Sequence, residues 1–207
     1  MLYRWSIPYD KFLYDDRSSG HEQKVEVFLS VIYDYWITLY KDNSKAYTAI
    51  TRLAYKDFVF LFDDTDELIS QGKAKTHEVP EGRVVAAFGF SKEKKHQRSN
   101  YRVQSYLGPT SKVFGYLGGA YDKGHFISDA SGGPKEINLF PHKRALNRGW
   151  SEEGKIYRRM EQTIADNPGT FFFSRPFYND ATYRPFSIEY GFVLPNGEFQ
   201  SRIFKNI

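Results

Sequence analysis

The chain has 207 residues, enough to bury a substantial core as one large domain or two small ones. Aromatic residues make up 18% of it and serve mainly as packing material, while the net charge of +4 permits a nucleic-acid partner without requiring one. The lack of cysteine excludes disulfides and thiolate metal sites. Neither a membrane-spanning run of about 18 apolar residues nor the apolar region of a signal peptide occurs. We therefore expect a cytoplasmic protein, or one exported without a cleavable signal peptide.

The first third of the chain is predicted to be helical. Apolar residues recur every three or four positions between residues 21 and 41, which predicts an amphipathic helix. A second helix is predicted over residues 44–56, whereas residues 58–62 fit either a buried strand or more helix. The acidic run at residues 63–67 could bind a metal, but its spacing matches no EF-hand pattern. Acidic capping of a short helix is the favoured interpretation of that run.

A polar segment with a Pro-Glu-Gly turn, at residues 71–82, is the best candidate for an internal boundary. It predicts a helical N-terminal region of unassigned role (residues 1–80) and a second domain (residues 81–207). In the second domain an amphipathic helix is predicted over residues 152–166, and Asn196-Gly197 predicts a hairpin turn. Apolar segments predict strands at residues 83–90, 113–118, 170–173, 185–194 and 199–204. The predicted fold class is α+β.

A basic tract separates the first two of these strands. It includes Lys92, Arg98 and Arg102. Such a tract is either a solvated loop or a surface that contacts phosphates and positions a nucleic acid without reading its sequence. Arg98 is therefore a candidate substrate contact.

His125 and Asn147 form the most informative pair of residues, on either side of a Gly-rich turn. A neutral imidazole can activate water, and a carboxamide oxygen can hold a hard divalent cation. Hydrolysis of a phosphodiester needs both groups.

The surrounding residues resemble a known family. Asp122-Lys-Gly-His125 resembles the Asp-Arg-Gly-His motif of the ββα-metal (His-Me finger) non-specific DNA/RNA endonucleases. Asn138-x-x-Pro141 and Leu146-Asn147-x-Gly149 resemble two further segments of that family, at its spacing. Gly132-Gly133 and Met160-Glu161 are similar to features of a compact branch found in bacterial polymorphic toxins. The resemblance covers roughly residues 83–207.

The resemblance implies a ββα-metal nuclease core with antiparallel strands, here with a helical N-terminal extension. His125 corresponds to the general base, and Asn147 to the single direct protein ligand of Mg²⁺, which Mn²⁺ can replace. Asn138 corresponds to a position that supports the active site by polar contacts. Lys123 replaces the family's arginine at a phosphate contact, which exchanges a planar fork of donors for a point charge.

The glutamate that normally completes the metal shell is displaced in this chain. The family has it eight or nine residues after the asparagine, where this sequence has Lys155 and Ile156. Glu161 comes fourteen residues after Asn147, and an unbroken helix of that length would rise about 21 Å. Either residues 148–154 loop out so that Glu161 returns to the metal, which we favour, or Glu152 or Glu153 replaces it.

Several further residues are candidate substrate contacts. His142 stands where the family usually has glutamine and could contact phosphate or the metal shell, although a lone histidine beside a proline is more often a surface residue. Asp122, Arg148 and Arg158 complete the set. For each arginine a solvated surface charge is an equally good interpretation.

The sequence thus predicts a metal-dependent endonuclease of low specificity that acts on DNA, RNA or both, as a bacterial toxin effector or a defence nuclease. Its candidate partners are the nucleic acid, an immunity or inhibitor protein and a second copy of the chain, but no membrane. The alternative is a catalytically decayed nuclease scaffold that acts as a nucleic-acid-binding or protein-interaction module. Lys123 and the displaced glutamate favour this alternative, and metal-dependent cleavage distinguishes the two.

Overall fold

The computed structural model describes residues 6–13, 20–43, 50–63, 83–93, 118–134, 137–180 and 182–207. The helices of this part of the chain are α1 (His21–Asn43), α2 (Arg144–Asn147) and α3 (Glu152–Asp166). The strands are β1 (Ile50–Tyr55), β2 (Phe58–Asp63), β3 (Arg83–Phe90), β4 (Tyr121–His125), β5 (Leu139–Lys143), β6 (Phe171–Phe177), β7 (Ser187–Val193) and β8 (Phe199–Lys205).

Two antiparallel sheets organise these elements. Six strands form one sheet in the order β1-β2-β3-β6-β7-β8. Strands β4 and β5 form a separate pair, and α2 and α3 follow that pair directly along the chain. The predicted α+β class with antiparallel strands is confirmed.

Helix α1 covers one face of the large sheet. Its inward stripe is Val25, Phe28, Ile32, Trp36 and Tyr40, all buried at the predicted helical spacing. This stripe packs on residues of β2, β3, β6 and β7, with Phe171 and Phe173 pointing towards the helix. Because side chains alternate along a strand, Phe172 between them points to the opposite face.

The other face of the large sheet is covered by the β4–β5 pair together with α2 and α3. Tyr157, Met160 and Ile164 of α3 are buried there against Phe172 and Tyr190 of the sheet. Both faces of the central strands are therefore covered, which explains why every residue of β6 is buried. The candidate site lies on the face opposite α1.

The predicted second helix is wrong. Residues 50–55 form strand β1, paired with β2 from Ile50 opposite Asp63 to Tyr55 opposite Phe58. The two-residue connection, Lys56-Asp57, has positive φ at both positions (49° and 71°), which is the geometry of a tight hairpin. This turn usually takes Asn-Gly, so the sequence lacked its ordinary signal. Residues 44–49 lie outside the described residues.

The boundary near residue 80 does not separate two cores. Strands β1 and β2 precede it and join the same sheet as β3, β6, β7 and β8. The N-terminal third therefore contributes two strands as well as α1, and it is not a wholly helical extension. The physical reason is the apolar run at residues 58–62, which pairs with β3 along its length.

The remaining predicted elements divide into three groups. Strand β3 and helix α3 have the predicted bounds, and strands match the predictions near residues 171, 187 and 199. Residues 113–117 lie outside the described part, and Gly118 begins a short 3₁₀ helix instead of ending a strand. Gly197 has φ +89° at the predicted hairpin turn.

Two buried ion pairs lie on the α1 side of the sheet. Asp63, from the acidic run, pairs with Arg83 at 3.1 Å and accepts a hydrogen bond from the Tyr40 hydroxyl at 2.6 Å. Residues 64–67 of that run lie outside the described residues. Arg175 pairs with Glu189 at 2.6 Å, and both side chains are buried.

Candidate functional site

The β4–β5 register brings the motif residues of the two strands together. Asp122 lies opposite His142, and Gly124 lies opposite Phe140. These positions share one face of the pair. A Cβ on Gly124 would lie only 2.4 Å from the His142 Cβ, so glycine is required for the strands to pair with the imidazole in this position.

Asp122 is the centre of a cluster, called here the Asp122 cluster, with the side chains of Arg144 and Asn147 in α2 and of Arg148 next to it. Its carboxylate accepts hydrogen bonds from Arg144 Nε at 3.0 Å, from Arg148 Nε at 2.7 Å and Nη2 at 3.0 Å, and from Asn147 Nδ2 at 3.3 Å. Partial burial alone would raise the pKa of Asp122, but the hydrogen bonds from Arg148, Arg144 and Asn147 outweigh it and lower the pKa. Asp122 is therefore a carboxylate at neutral pH.

The predicted direct contact between Asp122 and the substrate does not fit this environment. A phosphate brought against the Asp122 carboxylate would place two anions together, whereas the carboxylate already holds two guanidinium groups. Asp122 instead fixes Arg144 and Arg148, whose side chains are 34% and 47% exposed and can face an anion.

Helix α2 is one turn long, and its spacing explains the cluster. Residues three and four positions apart lie on the same side of a helix, so Arg144, Asn147 and Arg148 all face Asp122. The amide nitrogen of Asn147 donates to Asp122, which directs the carbonyl oxygen Oδ1 away from that carboxylate. Oδ1 is the group of Asn147 that suits a hard divalent cation.

His142 is a buried residue, and the prediction of a surface position is wrong. Its side chain is 1% exposed, and its ring packs against Phe140 at 4.8 Å and Tyr157 at 5.0 Å between ring centroids. Burial lowers the pKa of His142 to about 3, the Asp122 charge and the Asn147 carboxamide raise it in part, and the charge of His125 lowers it further.

Helix α2, which ends at Asn147, packs against both β4 and β5. His125 is the last residue of β4, half-buried, and its cross-strand partner is Leu139. The loop that follows is tied to β5 by a bond from Phe126 N to the Asn138 carbonyl at 3.0 Å. His125 and Asn147, the predicted base-and-ligand pair, therefore lie on elements that pack together, although 22 positions separate them in the sequence.

Asn138 holds the loop between β4 and β5. Its side chain is fully buried, accepts from Ile127 N at 2.7 Å, and donates to the carbonyls of Ile127 at 2.6 Å and Pro134 at 2.8 Å. All of these partners are backbone groups. Asn138 supports the loop after His125, because each of these side-chain bonds is made to that loop.

The chain does turn between Asn147 and Glu161. Helix α2 ends at Asn147, Gly149 takes φ +72°, and α3 begins at Glu152 with Ser151 as its cap. Close packing of Gly154 against the carbonyls of Ala145 and Leu146 folds α3 onto α2. The 14 residues from Asn147 to Glu161 are therefore not one helix, while the return of Glu161 to the metal stays a prediction.

Glu161 is a largely buried carboxyl on α3. Its side chain is 12% exposed and accepts a hydrogen bond from Arg158 at 2.8 Å, so the predicted phosphate contact Arg158 is already paired. Burial raises the pKa of Glu161 to about 7, and Arg158 lowers it only in part. Of the two alternative ligands, Glu152 is exposed and pairs with Lys155 at 2.6 Å, and Glu153 is half-buried in the first turn of α3.

Lys123 lies on the opposite face of β4 from Asp122, opposite Pro141. Its side chain is half-buried, and this burial lowers the pKa of Lys123. Arg98, the remaining predicted substrate contact, lies outside the described residues.

Two features of the site were missed in the sequence. Asn206 is fully buried near the C-terminal end of the chain, where it accepts from Lys143 N at 2.7 Å and donates to the carbonyls of Pro141 and Pro185 at 2.9 and 2.7 Å. It thereby fixes the backbone on both sides of His142. Tyr157 and Tyr190 extend the aromatic contacts of His142 into the large sheet, with 5.1 Å between their ring centroids. No local sequence pattern predicts such long-range contacts.

The carbonyl oxygen of Asn147 can bind a divalent cation, but the described residues do not surround it with several protein ligands. In the described residues, no group of three or more His, Asp or Glu side chains is arranged to hold a metal. A site built on one carboxamide oxygen, with water and phosphate as the other ligands, matches what Mg²⁺ accepts.

Comparisons with known proteins give few matches. No family model matches the chain, and no curated protein matches it. Among solved structures, the chain is similar to Sda1 nuclease with a bound zinc ion, at 17% identity and a TM-score of 0.39, over 82% of this chain and 80% of that one. A TM-score this low does not establish a common fold or activity. Among the described residues no helix is long and apolar enough to cross a membrane.

Proposed function

We propose that the protein is a metal-dependent nuclease of low sequence specificity, which hydrolyses phosphodiester bonds of DNA, RNA or both. The observation that carries the proposal is the hydrogen bond from Asn147 to Asp122, because it joins two parts of the motif across 25 positions of sequence. It also directs the Asn147 carbonyl oxygen away from the carboxylate. Arg144 and Arg148 surround the same point with positive charge.

In this proposal each residue has a separate role. His125 accepts a proton from the attacking water, and the Asn147 oxygen holds Mg²⁺, which Mn²⁺ can replace. A bound cation would offset charge on the scissile phosphate and the leaving oxygen. Arg144 and Arg148 bind phosphate through their exposed edges, while Asp122 keeps both guanidinium groups in place. The Glu161 carboxyl is a candidate for the outer metal shell.

Cleavage assays test this function directly. Supercoiled plasmid and total RNA are incubated with the protein in Mg²⁺, with and without EDTA, beside His125→Ala and Asn147→Ala. We expect cleavage that EDTA abolishes and that neither variant retains. His21→Ala is the matched control, because His21 lies on α1, where it contacts the Gly169 carbonyl at 3.1 Å and the Phe90 ring, on the face of the large sheet away from the Asp122 cluster. It should cleave at the parental rate.

Two results would contradict the proposal. If His125→Ala cleaves at the parental rate, His125 is not the general base. Binding without cleavage in Mg²⁺ or Mn²⁺ would instead support the decayed nuclease scaffold. Cleavage should also rise with pH through the titration of an imidazole, because only the neutral ring accepts a proton. A toxin or defence role, an immunity or inhibitor protein and a homodimer stay predictions.

A further inference from the structure

Trp150 is the most exposed large hydrophobic side chain in the described part of the protein, at 65%. It lies three positions after Asn147, the last residue of α2. A large aromatic ring that is exposed to water beside a candidate active site indicates a binding role, because burial of the ring would otherwise be favourable.

The backbone around Trp150 is held in a defined helix cap. Gly149 takes the left-handed conformation, with Gly149 N bonded to Leu146 O at 3.2 Å and Trp150 N bonded to Ala145 O at 2.8 Å. This pair of bonds is a Schellman motif, in which an apolar residue at the Trp150 position usually packs back on the helix. Here the backbone has the motif, but the ring stays exposed.

Arg148 holds the indole ring from one side. Its guanidinium lies 5.1 Å from the Trp150 ring centroid, and the same group donates two hydrogen bonds to Asp122. Arg148 therefore connects Trp150 to the Asp122 cluster. A cation stacked on an aromatic face is itself a planar surface that attracts bases and phosphates.

We propose that Trp150 and Arg148 form a stacking platform for an unpaired nucleobase of the substrate. The inference rests on the proposed nuclease function and adds a substrate class, namely nucleic acid with unstacked bases next to the cleavage site. Any base offers a π face to an indole, so such a platform adds affinity without sequence preference. A base inside a duplex is already stacked and cannot lie on the ring.

The other exposed aromatic side chain among the described residues provides a matched control. Tyr35 is 46% exposed and contacts Phe12 at 5.0 Å between ring centroids, but it lies on α1, across the large sheet from the Asp122 cluster. The stacking proposal predicts no role for Tyr35 in nucleic-acid binding.

The experiment measures binding without cleavage. Fluorescence anisotropy of a labelled oligothymidine is recorded in EDTA with the parental chain, Trp150→Ala, Trp150→Phe and Tyr35→Ala. We expect Trp150→Ala to weaken binding about tenfold or more, as for loss of one stacked base. Trp150→Phe should restore most of the affinity, and Tyr35→Ala should match the parental chain. Thermal unfolding checks that each variant is folded.

Two further ligands show whether a base is the group that binds. An abasic oligonucleotide of the same length keeps the phosphates but has no base to stack, so Trp150→Ala should weaken its binding little. A duplex of the same sequence should behave in the same way. Equal weakening for all three ligands would overturn the platform and assign Trp150 to the support of Arg148.

Other outcomes also decide the question. Unchanged oligothymidine binding by Trp150→Ala, or the absence of binding by the parental chain, would overturn the platform. A change of oligomeric state in Trp150→Ala, seen by sedimentation, would assign the ring to a protein interface and overturn it too. Cleavage by His125→Ala is measured separately, so failure of the nuclease proposal and failure of the platform give different results.

Discussion

Arg148 donates to both oxygens of Asp122, from Nε to Oδ2 at 2.7 Å and from Nη2 to Oδ1 at 3.0 Å. This bidentate pair connects the first strand of the motif to the end of α2. Asn147, the neighbour of Arg148 in the chain, donates to the same carboxylate at 3.3 Å. Asp122 therefore orients the candidate metal ligand and the candidate phosphate contacts together.

The first prediction concerns Asp122→Asn. The variant removes the charge that holds Arg144 and Arg148, and its amide can no longer accept every bond that the carboxylate does. Loss of such a supporting group typically costs 10- to 100-fold in metal affinity or activity. We expect a decrease in cleavage of about that size, measured on plasmid DNA over a range of Mg²⁺ concentrations. Asp34→Asn, at an exposed position of α1, is the control and should have no effect.

The second prediction concerns Gly124, the glycine of the motif. A methyl group at this position would overlap His142, with its Nδ1 at 2.6 Å and its Cβ at 2.4 Å. Gly124→Ala should therefore destabilise the protein by about 1–3 kcal/mol, as overpacking does. In the His142→Gly background both the Cβ and the ring are absent, so the same change should cost much less. Urea unfolding of the four chains measures this coupling. Additive effects would contradict the predicted overlap.

The reliability of the sequence-based predictions depended on the range of the interactions involved. Helix α1 and helix α3 were predicted well because their apolar stripes are local patterns of one segment. Strand β1 was missed, because the spacing of Ile50 and Leu53 fits a helix and only pairing with β2 makes the segment a strand. The hairpin turn at Lys56-Asp57 lacks the glycine that would have indicated a turn in the sequence.

In the site, too, local motifs were predicted and long-range contacts were missed. The pairing of residues near His125 with residues near Asn147 was predicted from motif spacing. His142 was expected at the surface because its burial depends on Tyr157, in another helix, and on packing against Gly124. Asn206 carries no local signal, since its hydrogen bonds reach Pro141 and Pro185, 65 and 21 positions away.

The third prediction concerns Asn138→Ala. The change removes three buried hydrogen bonds to the loop after His125 and leaves the amide and carbonyl of Ile127 without those partners. A buried bond contributes about 1 kcal/mol and an unsatisfied group costs about 1–3 kcal/mol, so we expect a loss of roughly 3 kcal/mol or more in urea unfolding. Asn196→Ala is the control, since Asn196 is an exposed residue that caps only the β7–β8 turn. A similar loss in both variants would contradict the role of Asn138.

The fourth prediction concerns stability at acid pH. Burial lowers the pKa of His142 to about 3, whereas an unfolded histidine titrates near 6.5. Between these values His142 binds a proton in the unfolded chain but not in the folded chain. The contribution of His142 to stability therefore decreases as pH falls from about 6.5 towards 3. His142→Gln removes this titration and should give a smaller decrease of the free energy of unfolding over that range. Parental and variant curves of the same slope would show that His142 titrates normally in the folded protein.

The fifth prediction concerns Glu161 in the metal-free protein, and its sign is the opposite. Burial raises the pKa of Glu161 from 4.5 to about 7, so the unfolded chain loses this proton first as pH rises. The contribution of Glu161 to the stability of the folded state is fully present below about pH 4.5, and that contribution, on the order of 3 kcal/mol, is lost as pH rises to about 7. Glu161→Gln keeps a neutral side chain of the same shape and should unfold in EDTA with a free energy that does not decrease over this range. Glu198→Gln, at an exposed turn position, should keep the parental pH dependence. If Glu161→Gln and the parental chain lose stability in parallel, the Glu161 carboxyl is ionised in the folded protein and is ready to hold a cation without losing a proton.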